Sequence, residues 1–285
     1  MMPGEVRQTL RRRLPPASTA IVTAYLLTAA GVWLGWWGSD WAAIAGPGRV
    51  GPSVEHWLGT NLVGQDIFTR LLAGTARAFE IGLVVAIPST VLGAVIGGLA
   101  GYFPNRWPDG VLMWLTGTLD AIPFYLFVIA LSYALQDQPG AMQLAMIATF
   151  WTLTARLIRA ETMRLRQLDF VTAARVSGVG TWRMIGRHIL PHTTHILLVQ
   201  SSIVFVAAIK AEVVLSFLGL GLQHSVSWGM MIAEASQEIL AGHYMNFICA
   251  SLALLILVLA VNHLTDRLQR RLDPRTRAET VKRMG

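Results

Sequence analysis

Apolar residues in this chain fall into long, nearly unbroken blocks. Six stretches stand out, at residues 20–37, 81–103, 111–135, 141–157, 193–218 and 244–264. A helix needs about 20 mostly apolar residues to cross a hydrocarbon layer of roughly 30 Å. Each block is therefore expected to be a transmembrane helix. Polar interruptions are few: Asp120 in the third block, and Lys210 and Glu212 in the fifth. Gly93, Gly97 and Gly101 recur every four residues in the second block. They form one smooth helix stripe that lets another backbone approach closely, and a neighbour within the same chain is the expected partner. Pro123 predicts a kink in the third block.

Composition agrees with this pattern. Of 285 residues, 54% are hydrophobic and only 14% are charged, and the mean hydropathy is +0.52. Soluble domains carry roughly 25% charged residues. One core of this size cannot hide so much apolar surface, and disordered chains are polar and charged. The expected class is an all-α, polytopic membrane protein. A single cysteine, Cys249, excludes a disulfide framework.

The formal net charge is +7, and its placement gives it meaning. Eighteen of the 23 basic residues lie in the N-terminal tail, the 156–190 segment and the C-terminal tail. The loop after the fifth block has Glu234 and Glu238 but no Lys or Arg. Basic loops stay in the cytoplasm, so both termini and the 156–190 segment are expected inside. Six spans satisfy that arrangement. The basic residues flank membrane spans and are not interleaved with stacking aromatics, so no nucleic-acid partner is expected. The first block ends at Trp36 and Trp37 without a small-residue cleavage site, which predicts an uncleaved anchor.

Several chemistries lack their residues. Lys210 precedes Ala211 and Lys282 precedes Arg283, so no Lys-Ser or Lys-Thr phosphate loop exists. His188, His192 and His195 have ligand-like spacing, but Pro191 interrupts the run, and no metal site is expected. No Gly-x-Ser-x-Gly elbow occurs, and no catalytic residue is expected. Among the intramembrane charges, Lys210 and Glu212 are two residues apart and do not share a helix face. Lys210 therefore needs an acid on another span, and Asp120 is the candidate.

The 156–190 segment is long for an internal connection. It reads as a short helix over 169–175, a break at Gly178 and Gly180, and a second short helix over 181–187. Leu190-Pro191 then opens the fifth span. Residues 169–191, DFVTAARVSGVGTWRMIGRHILP, resemble the cytoplasmic EAA loop of ABC importer permeases. Ala173, Ala174, Gly178 and Leu190-Pro191 occupy matching positions, while Thr172 stands where the loop's name has Glu. Residues 59–66, GTNLVGQD, resemble the family pattern GTDxxGRD, with Asn61 and Gln65 departing from it. Residues 98–103 (GLAGYF), 212–221 (EVVLSFLGLG), 227–229 (SWG) and 272–275 (LDPR) also resemble family segments. Together they resemble the C-type permease subunit of dipeptide, oligopeptide and nickel importers. Glu80, Lys210 and the 224–226 stretch (His224, Ser225, Val226) depart from that family's habits.

The resemblance implies a type I ABC importer permease fold in the bacterial inner membrane. It divides the chain into an N-terminal tail (1–19), a first helix (20–37), an external loop (38–79), a permease core (80–265) with the coupling loop at 156–191, and a C-terminal tail (266–285). It implies that Asp169, Thr172, Ala173, Ala174, Arg175, Gly178, Trp182, Arg187, Leu190 and Pro191 couple to an ATPase. Asp120, Lys210 and Glu212 are pore or gate candidates. Trp228, Gly229 and Glu234 are candidates for facing a binding protein. The implied partners are a B-type permease, one or two ABC ATPases, an extracytoplasmic peptide-binding protein and the lipid bilayer. No cofactor is expected in this chain, with ATP and Mg held by the ATPases. Peptide is the expected cargo; nickel, haem and glutathione are alternatives. A stand-alone secondary transporter is the rival of another class, but inverted repeats and paired broken helices are not visible.

Overall fold

A computed structural model describes residues 17–221 and 225–272, the last two by backbone only. The N-terminal arginines, His224 and most of the LDPR stretch lie outside the described residues. The helices are α1 (Ala17–Trp33), α2 (Ile67–Tyr102), α3 (Trp107–Ala121), α4 (Phe124–Ala134), α5 (Ala141–Leu165), α6 (Asp169–Val176), α7 (Thr181–Phe217), α8 (Trp228–Leu240) and α9 (Met245–Leu272). Four of them, α2, α5, α7 and α9, are long and apolar enough to cross a membrane. A fifth span arises if α3 and α4 count as one broken pair. The first apolar block, 20–37, is α1, a shorter helix of 17 residues. All nine elements among the described residues are α-helical in the main, and the all-α expectation holds for them.

The chain divides into two compact units. Among the described residues, one comprises 80–215 and 268–272; the other comprises 17–79 and 216–267. In the first unit the glycine stripe of α2 packs on α5. A methyl group placed on Gly93 would lie 2.7 Å from the Trp151 carbonyl oxygen and 2.6 Å from Thr154 Cβ. At Gly97 and Gly101 it would run into the carbonyl oxygens of Ala155 and Arg159. The expected intrachain approach is therefore met by the α5 backbone itself. Ala100, Leu112, Trp151 and Ala155 form a buried cluster beside this contact, with Ile96, Leu115 and Leu119 packed on it.

An ion pair ties α3 to the same helices. Asp109, buried in the first turn of α3, receives a bidentate fork from Arg159 of α5: Nε on Oδ1, and Nη2 on Oδ2 at 3.0 Å. The Asn105 amide donates to the same carboxylate at 2.9 Å. An acid in the first helical turn also suits the helix dipole.

The third block is broken outright. Pro123 precedes α4, and α3 and α4 diverge by 97°. Proline removes a donor and clashes with the preceding turn, so the expected kink becomes a break. Phe124 of α4 packs on Phe150 of α5, with ring centroids 4.9 Å apart.

In the second unit, α1 is held by Tyr25, whose hydroxyl donates to the Ala253 carbonyl of α9 at 3.1 Å. The connection before α2 is an ordered knot. Thr60 Oγ1 donates to the Pro47 carbonyl at 2.7 Å and accepts from the Val50 amide at 3.0 Å. Asn61 Oδ1 accepts from the amides of Val63 and Gln65 at 3.1 and 2.8 Å. Asp66 then caps α2, accepting from the Thr69 amide at 2.8 Å and its hydroxyl at 2.9 Å. This cap starts α2 at Ile67, well before the 81–103 block, because a helix tolerates the polar residues that end an apolar run.

Two expectations follow from these contacts. Gly97→Val should destabilise the chain by about 1–3 kcal/mol or more, since the clash is with backbone. Lowered thermal stability and a smaller monodisperse fraction of the detergent-extracted complex would register it. Arg159→Met should cost about 3–5 kcal/mol, because it strands a buried carboxylate. Adding Asp109→Leu to that variant should recover most of the loss in the same melting measurement.

Candidate functional site

The segment resembling the EAA loop folds into a two-faced element. Its inner face is a buried cluster of Leu165, Val171, Met184 and Ile189, against which Tyr102, Ala174 and Val179 pack. Its outer face is exposed and carries Asp169, Thr172, Ala173, Arg175, Val176, Trp182 and Arg187. Val176 is 84% exposed and Trp182 is 72% exposed. Apolar side chains so fully displayed beside charged ones mark a surface suited to a protein partner. Val176 was not singled out by sequence, because a lone valine has no signal until its face is known.

The turn after α6 is locked by its backbone. Gly178 takes φ +80°. Its amide donates to the Arg175 carbonyl at 3.0 Å, and the Val179 amide donates to the Ala174 carbonyl at 3.1 Å. These two bonds make a Schellman motif, and the contact of Val179 with the Ala174 side of the cluster completes it. No atom would meet a Cβ at Gly178, so the demand for glycine is conformational, not spatial.

The second short helix is not separate. Residues 181–217 run continuously as α7, with an irregular start. Met184–Ile189 is a π-helical turn, in which the Leu190 amide reaches the Ile185 carbonyl. Leu190–Thr193 then tightens to a 3₁₀ turn. Pro191 has no N–H to offer the Arg187 carbonyl, and the wide turn before it absorbs the defect. Leu190 is half-buried and Pro191 exposed. His192 stacks on Phe170 of α6 with ring centroids 4.8 Å apart, which ties α6 to the start of α7.

Two arginines anchor the element to the end of α2. Arg166 Nη1 donates to the Tyr102 carbonyl at 3.0 Å, capping that helix's negative end. Arg175 lies over the Tyr102 ring at 5.8 Å. Neither contact was visible in sequence, where Arg166 counted only as a basic charge and Arg175 as a coupling-loop residue.

The intramembrane charges do not gather. Asp120 pairs with Arg156 of α5, and this corrects its expected pairing with Lys210. Lys210 is exposed on α7, while Glu212 is buried. Asp120 also borders a cavity of about 390 Å³, lined by Pro123 and Phe124 at the helix break, Thr149 and Phe150 of α5, and Gln200 of α7. No group of three or more potential metal ligands occurs among the described residues.

The residues expected to face a binding protein are mostly internal. Trp228 is 1% exposed, and Gly229 is buried. The Trp228 ring lies on Gly74, where a Cβ would come within 2.7 Å, and makes an edge contact with Tyr25. Trp228 is thus a packing residue, not a surface one. Ser227 explains the local geometry, since its hydroxyl accepts from the Met230 amide at 3.2 Å and caps α8. Glu234 is half-exposed and binds Arg70 at 2.7 Å, and Arg70 is 2% exposed.

Comparison with known proteins gives this arrangement a place. The family described as binding-protein-dependent transport system inner membrane component matches residues 89–278. An oligopeptide transport system permease of Mycobacterium tuberculosis is 37% identical over 230 residues, covering 80% of this chain and 78% of that protein. A dipeptide transport system permease of Bacillus subtilis is 34% identical over 227 residues, covering 79% and 71%. A glutathione transport system permease of Pectobacterium atrosepticum is 36% identical over 230 residues, covering 80% and 75%. With its multi-pass helical build and its EAA-like element, the chain belongs to the binding-protein-dependent transport system inner membrane components, the permease subunits of ABC importers.

Proposed function

We propose that this chain is a C-type permease subunit that imports peptides, driven by ATP hydrolysed in separate cytoplasmic subunits. The observation that carries the reading is the two-faced α6 element. It presents Val176 and Trp182 outward and roots its other face in the Leu165–Val171–Met184–Ile189 cluster. Pushing on such an element moves the ends of α2, α5 and α7 together, because Arg166, Arg175 and Phe170 tie all of them to it. Alternating access requires contacts that differ between two states, and a docked ATPase supplies them at this face. ATP and Mg would sit in the ATPase chains, since this chain has no phosphate loop. The positive-inside pattern puts both termini and α6 in the cytoplasm and residues 38–66 outside.

Peptide is the preferred cargo because the similar permeases are named for oligopeptides and dipeptides. A second permease chain would complete the pathway, and an external binding protein would deliver the cargo. Asp120, Lys210 and Glu212 remain the pathway candidates, with Asp120 at the cavity beside the α3–α4 break.

Val176→Asp or Trp182→Asp, each on the exposed face, should leave the chain folded. Either change should reduce peptide uptake at least ten-fold. ATPase stimulation by the loaded binding protein should also disappear. Gly178→Val should act in the same direction through the turn, because φ +80° disfavours a branched side chain. Proteoliposome uptake with ATP inside is the measurement. Normal uptake in all three variants, or uptake that follows an ion gradient without ATP, would overturn the proposal.

A further inference from the structure

The unit formed by residues 17–79 and 216–267 contains a second cavity, of about 190 Å³, unrelated to the coupling face. It is lined by Thr60 and Ile67, Glu238 at the end of α8, and Tyr244, Met245 and Asn246 where α9 begins. Its polar groups are unusually short of partners. Asn246 is 1% exposed, and neither its Oδ1 nor its Nδ2 finds a hydrogen-bond partner. Glu238 is 2% exposed and takes one hydrogen bond, from the Leu62 amide to Oε1 at 2.7 Å. No cation pairs with it among the described residues. Buried polar groups are normally satisfied, and a buried carboxylate normally has a counter-charge.

The backbone around the cavity is fixed. Gly242 takes φ +82°, its amide donates to the Ile239 carbonyl, and the His243 amide donates to the Glu238 carbonyl, each at 3.0 Å. This second Schellman motif sets the rim, where Gly242, His243 and Tyr244 are exposed. On the other side, the first turn of α9 brings the positive end of a helix dipole and amides without helical acceptors.

These groups define a ligand. Glu238 calls for a cation. Asn246 Nδ2 and the start of α9 call for an acceptor in the same cavity, and Oδ1 calls for a further donor. A lysine or arginine side chain would meet Glu238 and Oδ1 but leave Nδ2 unserved. An ammonium one carbon from a carbonyl serves all of them. We propose that this pocket binds the α-aminoacyl head of a peptide, with the ammonium on Glu238 and the adjacent carbonyl toward Asn246 and α9. The volume is below the roughly 300–1,000 Å³ of sites that enclose a whole ligand, so the remainder leaves past the Tyr244 rim. The positive-inside pattern puts this pocket on the outer side, where cargo arrives. The proposal rests on the peptide-import reading and adds to it a contact with cargo outside the membrane core.

The test uses the assembled transporter in lipid nanodiscs without its binding protein. The probes are trialanine, N-acetyl-trialanine and alanine. Trialanine should bind saturably, and acetylation should weaken binding at least ten-fold by removing the ammonium. Glu238→Gln, which keeps an acceptor for the Leu62 amide, and Asn246→Ala should each weaken it to a similar degree. Asn246→Ala should not lower thermal stability, because it removes an unsatisfied group. Alanine separates two sources of the same head: weaker binding than trialanine assigns the pocket to peptides, and equal binding overturns that assignment. Equal binding of the acetylated probe, or unchanged affinity in both variants, also overturns the proposal. If the transporter takes up trialanine but shows no such binding, the pocket holds only water and the proposal fails alone. If it takes up no peptide at all, the peptide-import reading fails first.

Discussion

The approach of α2 to α5 is the contact on which the rest of the larger unit depends. Lipid tails are as apolar as leucine, so hydrophobicity does not drive helices together inside a bilayer. Close backbone contact and polar pairs must hold them. Gly93, Gly97 and Gly101 supply the contact along three turns. That contact sets the height at which Arg159 meets Asp109 and, about two turns further, at which Arg166 reaches the end of α2. The α6 element hangs from Arg166 and Arg175 on Tyr102 at the end of α2, so a change in the stripe would misplace it without touching it.

Irregular backbone is concentrated at two prolines. Pro123 separates α3 from α4 beside a cavity, and Pro191 imposes a π turn and a 3₁₀ turn where α6 meets α7. Each irregular stretch is braced by aromatic packing, Phe124 on Phe150 and Phe170 on His192. Bracing of this kind keeps a weakened helix from fraying and still permits a discrete change of angle.

The helical class, the apolar blocks, and the short helix and glycine turn of the 169–180 segment were legible in sequence because each rests on local signals: long apolar runs, a glycine stripe, and glycine and proline at fixed offsets. What was lost depended on distant partners. The 13-residue α8 was hidden in a presumed loop, since it is too short to span and its cap, Ser227, was read only as part of a motif. Trp228 was taken for a surface residue because the space it fills is made by Gly74, more than 150 positions away in the chain. Asp120 was matched with Lys210 by counting intramembrane charges. Arg156, which actually pairs with it, had been assigned to the cytoplasmic segment.

The knot before α2 shows how two departures from a family pattern can satisfy one another. Where the resemblance expects Asp and Arg, the chain has Asn61 and Gln65. Asn61 keeps the acceptor oxygen that caps the Val63 and Gln65 amides. Its new amide group would be left without an acceptor, but Gln65 Oε1 takes it at 2.9 Å. The same Oε1 also accepts from Arg70, whose other arm binds Glu234 of α8. The two amides thus satisfy one another in this chain. Either change alone would strand a donor or an unpaired charge among buried groups. Asn61 and Gln65 thus act together, and through Arg70 they keep the knot docked to α8, which also carries Glu238 to the second pocket.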